Sequence, residues 1–142
     1  MVVKIQKGLV GGITGTAIMS LFMMLAPMMG MPKMDPAQML SSMMGFPVLI
    51  GWVMHFMIGI IFAMAYVFFF NTLANKITNK ILKGSIFGIA VFIFAQIMMG
   101  IMEAVLGGVP PMEGNMVFMM IGSIAGHMIF GIVVALVVKE VA

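Results

Sequence analysis

The chain has 142 residues, a length for one domain; 63% are hydrophobic and only 8% charged. Soluble domains carry roughly 25% charged residues, so a surface this poor in charge faces lipid rather than water. The absence of cysteine excludes disulfides, thiolate metal sites and a cysteine nucleophile. All seven cations are lysine, which argues against bidentate phosphate clamps, and a net charge of +3 leaves no nucleic-acid footprint.

A membrane-spanning helix needs about 20 apolar residues. The first such stretch, 8–30, follows Lys4 and Lys7. It is too long for the apolar core of a signal peptide, so it reads as a retained first helix. The next connection, 31–47, carries Asp35 as a helix N-cap, Pro36 at the first helical position and Gln38 two residues on. That pattern predicts a short interfacial helix over 36–44, ended by Gly45. A second span covers 48–70. The connection after it holds Lys76, Lys80 and Lys83, and a third span covers 84–106. Residues 108–115 (GVPPMEGN) read as a tight Pro/Gly turn into the fourth span, 116–138. Lysine placement orients the chain: Lys4, Lys7, Lys76, Lys80, Lys83 and Lys139 fall on one side. Only Lys33 falls on the other, beside Asp35 and Glu113. The positive-inside rule then puts both termini in the cytoplasm, with 31–47 facing outward.

The second half repeats the first. Span two reads Gly51-x3-His55-x3-Gly59-x3-Ala63, and span four reads Ser123-x3-His127-x3-Gly131-x3-Ala135. Spans one and three both open with Lys-Gly (Lys7-Gly8 and Lys83-Gly84) and place a second glycine four residues later. The predicted fold is therefore all-α: a four-helix transmembrane bundle of two parallel-repeat hairpins, related by a pseudo-twofold axis along the membrane normal. The Gly–His stripes form its interior faces, because small residues let helices approach closely.

Ionisable groups within a bilayer are costly and usually face a bundle interior. His55 and His127 occupy equivalent repeat positions. As a pair they could hold a haem b iron from both sides, with Gly59 and Gly131 leaving room for the porphyrin. They could equally bind copper, or simply donate hydrogen bonds that fix helix packing. Gln96, Gly100 and Glu103 share one face of span three. Glu103 could reach a histidine or snorkel to the interface. The 22 methionines are one-sided: only Met1, Met64 and Met128 lie in the inner part, with Met19 at a midpoint. Thioethers select Cu(I), and Met116 and Met120 share a face with His127, so a copper site of His55, His127, Met116 and Met120 is conceivable. Methionine also serves as adaptable packing.

The segments LAPMMGMP, GWVMHFMIGIIFAMAY and GSIAGHMIFGIVVALV resemble those of small bacterial four-helix membrane proteins. These share a Met/Pro-rich first hairpin and a G-H-x-x-x-G last span. The resemblance implies fold and topology; it carries no activity. The function expected is an accessory subunit of a larger membrane complex, a respiratory one being the suggested setting, which holds haem b or copper between His55 and His127. Its partners would be the bilayer and other membrane subunits, or further copies of itself. The alternative is a stand-alone or homo-oligomeric small transporter or copper-handling protein. An enzyme is less supported, because two histidines and one glutamate are the sole candidates for catalysis.

Overall fold

The computed structural model describes residues 1–107 and 114–138. The expected turn around Pro110 and Pro111, with Met112, Glu113 and Lys139, lies outside the described residues. Among the described residues every element is helical: α1 (Val2–Leu25), α2 (Pro36–Met44), α3 (Val48–Ala65), α4 (Lys80–Leu106) and α5 (Met116–Val138). A 3₁₀ turn (Ala26–Met29) extends α1. A π turn (Tyr66–Phe70) and a last α-turn (Asn71–Leu73) extend α3. Four helices are long and apolar enough to cross a membrane: Val2–Met29, Val48–Leu73, Lys80–Leu106 and Met116–Val138.

The helix ends follow local chemistry. Gly30 (φ +83°) and Gly45 (φ +71°) take the left-handed conformation that closes the α1 extension and α2. Asp35 caps α2, its Oδ1 accepting from Gln38 N at 2.9 Å. The Gln38 side chain does not reach back to close a capping box; its Nε2 donates to Ser42 Oγ at 3.2 Å. Asn79 and Asn115 cap α4 and α5 in the same way as Asp35.

The long helices pack in the order α4–α5–α1–α3, and α2 lies on α3. The central pair, α1 and α5, is the most buried. In α1, 44% of the most apolar stretch is buried, against 11% in α4, which stands at the periphery. The core joins Met19 and Met23 of α1, Ala63 and Val67 near the end of α3, Phe87 and Val91 of α4, and Phe130 and Val134 of α5.

Glycine notches make both hairpins. A Cβ on Gly12 would lie 2.6 Å from Ile60 Cα, and one on Gly88 would lie 2.6 Å from Met128 Cα. The twofold relation stops there. It would require α3 to meet α4 as α1 meets α5. Instead α3 and α4 join chiefly through aromatic rings, Tyr66 and Phe70 on Phe87 (both 5.0 Å) and Phe62 on Phe94 (5.4 Å). The cause is legible in the repeat alignment. Gly11 and Gly15, which admit Val134 and Phe130 of α5, correspond to Phe87 and Val91 on α4. Bulky residues there hold the backbones apart and leave an apolar groove at Ala65 and Ala90.

Candidate functional site

His55 lies on the buried stripe Gly51, His55, Gly59, Ala63 of α3. Its Nε2 is 3.2 Å from Ser20 Oγ of α1, and Trp52 stands edge-on to its ring at 6.2 Å. The His55–Ser20 bond clasps α1 to α3 within the apolar zone. A double-mutant cycle with His55→Leu and Ser20→Ala should give a coupling of about 0.6 kcal/mol, and no more than about 1.7 kcal/mol. Denaturation in mixed micelles measures it; strict additivity of the two changes would remove the clasp from the fold's account.

His127 is held differently. Its Nδ1 donates to the Ser123 carbonyl of its own helix at 2.8 Å, and its ring meets Phe92 of α4 edge-on at 5.6 Å. A carbonyl only accepts, so in the neutral imidazole Nε2 is left as the acceptor. Among the described residues no hydrogen bond or ring contact joins His55 to His127. The glycines one turn along are filled. Gly59 receives Thr16 Oγ1, and a Cβ on Gly131 would lie 2.6 Å from Gly88 N. A porphyrin between the imidazoles would have to part α1 from α3 and α4 from α5. The residues present therefore do not fit a haem in this packing.

Met116 and Met120 are 71% and 51% exposed in the first two turns of α5. Gln96, Gly100 and Glu103 are also exposed, on the outer face of α4. No hydrogen bond from the Gln96 or Glu103 side chain occurs among the described residues. This polar face is thus turned away from the bundle rather than toward the histidines.

A different set of methionines converges at the α2 end of the bundle. Met34 Sδ and Met31 Sδ lie 3.1 and 3.4 Å from the point where a Cβ on Gly122 would stand. One turn further along α5, Met23 Cε lies 2.7 Å from the same point on Gly126. Beside them is a cavity of about 360 Å³, lined by Ser20, Met23, Met24, Met34, Asp35 and Trp52 among others. Lys33 also contributes to its wall. Through Ser20 the cavity is one hydrogen bond from His55. The spacing Gly122-x3-Gly126 is the sequence signal for this notch, but the 31–34 segment that fills it has no periodicity of its own.

Comparisons with curated proteins and with solved structures find no match. A family model described as a family of unknown function, DUF6789, matches residues 2–142. With the match spanning nearly the whole chain, the protein belongs to the DUF6789 family.

Proposed function

We propose that the protein is an accessory subunit of a larger membrane complex, set in a bacterial inner membrane with both termini in the cytoplasm. It meets its neighbours through the outer face of α4. The observation that carries this reading is the exposure of Gln96, Gly100 and Glu103 on a helix that the rest of the chain scarcely covers. A carboxamide facing hydrocarbon leaves donors and acceptors unsatisfied, at a cost of several kcal/mol for each group. A neighbouring helix that offers polar partners removes that cost. Gly100, with nothing within 4 Å of its added Cβ, gives such a helix a place to approach closely.

The test is native electrophoresis of membranes solubilised in mild detergent, with identification of co-migrating chains. The wild type should run in an assembly well above its own 15.3 kDa, and Gln96→Leu/Glu103→Leu should release it. Neither side chain makes a hydrogen bond within the described chain, so the double variant should keep the monomer's unfolding midpoint. A wild type that runs alone, or a double variant that stays in the assembly, would overturn the reading. An assembly made of this chain only would replace it with the homo-oligomeric alternative.

A further inference from the structure

We infer that Met31 and Met34, with Met23 one turn deeper, form a binding site for a soft monovalent cation, Cu(I), at the α2 end of the bundle. Three independent features converge there. The first is geometric. The sulfurs of Met31 and Met34 approach one point above Gly122, so two thioethers from the segment joining α1 to α2 are brought together over α5. Gly122 and Gly126 make this approach available, since a side chain at either position would stand where the thioether groups lie.

The second feature is access. Met34 lines the cavity at this end, and Met23, a core residue, forms part of its inner wall, so the notch is reached from an open space. Asp35 and Lys33 both stand in the cavity wall, which leaves the approach without a strong charge of either sign. Asp35 Oδ1 is already engaged in capping α2, so this oxygen is not offered as a ligand.

The third feature is ligand chemistry. Thioethers are neutral and soft; they suit Cu(I) and are poor ligands for zinc, magnesium or calcium. No group of three His, Asp or Glu that could hold a harder metal exists among the described residues. A Cu(I) bound by thioethers keeps its single positive charge and needs no proton release, unlike binding to thiols. Met116 and Met120 form no part of this site; they are exposed on the outside of the bundle.

The experiment uses the full chain purified in detergent. Equilibrium dialysis against ascorbate-reduced copper is followed by metal analysis, and calorimetric titration uses Ag(I) as a redox-stable probe. The wild type should bind a stoichiometric equivalent that Met31→Leu/Met34→Leu lacks. Met116→Leu/Met120→Leu should retain it and so sets the background from exposed thioethers. Leucine conserves volume, so the fold should survive; a matching circular dichroism spectrum checks this. Equal binding by wild type and M31L/M34L, or no binding by either, overturns the site. Should M31L/M34L fail to fold, X-ray absorption at the copper edge of the loaded wild type decides. Sulfur scatterers alone support the site, whereas a nitrogen or oxygen shell overturns it.

Discussion

Gly88→Leu should break the bundle at its α4–α5 seam, with a loss of stability at or above the roughly 1–3 kcal/mol typical of an overpacked core. A Cβ at this position would press on the His127 carbonyl oxygen and stand 2.6 Å from Met128 Cα. Both obstacles are backbone, so neither can swing aside. Close backbone approach is also what holds helices together in lipid, where no hydrophobic gain drives association. Gly8→Ala offers a graded control. The added Cβ meets only the thioether end of Met64, a flexible chain that can rotate away, so its cost should be small. Gly100→Leu should leave the isolated chain's stability unchanged, since nothing lies within 4 Å, while weakening any complex built on the α4 face. Unfolding in mixed micelles, read from the fluorescence of the single tryptophan, Trp52, ranks the three. Equal midpoints for Gly88→Leu and the wild type would show that the seam does not depend on the notch.

The architecture was largely legible in the sequence because the bilayer imposes it. Apolar runs of spanning length mark helices whatever they pack against, and Asp35-Pro36 with Gly45 brackets α2 by capping chemistry alone. The Gly51–His55–Gly59–Ala63 stripe was readable as an interior face, since small residues at one-turn spacing have few other uses in lipid. Pairing between helices was less legible. Ser20 meets His55 because α1 and α3 settle at a register fixed by Gly12 on Ile60, which no single-helix pattern contains. The repeat suggested a symmetric pair of histidines. Yet replacing Gly11 and Gly15 with Phe87 and Val91 in the second half forces one seam open and leaves His127 against Phe92. Gln96 suggested an inward polar face on the rule that polar groups shun lipid, while Glu103 fitted either that face or the interface. They face outward because α4 stands at the edge of the bundle, with Gly84 and Gly88 turned to α5 and little of the chain covering the rest of its surface.

A cysteine placed at Ser42 should react with a membrane-impermeant maleimide on intact cells, and one placed at Thr78 should react only after permeabilisation. The chain contains no cysteine, so each label reports its own site without background. Both positions are exposed: Ser42 on α2, and Thr78 in the connection between α3 and α4. The expected contrast is all-or-none, because it reads on which side of the bilayer each residue lies. Its physical basis is the lysine asymmetry. Lys4 and Lys7 open α1, and Lys76, Lys80 and Lys83 flank the start of α4 at the same end of the bundle, whereas Lys33 is the only lysine near α2. Lys83 adds to the argument in a second way. It is buried, and its Nζ donates to Asn71 Oδ1 at 3.2 Å, which ties this lysine to the end of α3. The reverse labelling pattern would place both termini outside, and with them these lysines. It would also move the Met31–Met34 notch to the cytoplasmic face. Orientation therefore decides which compartment could supply the soft cation that the notch is inferred to hold.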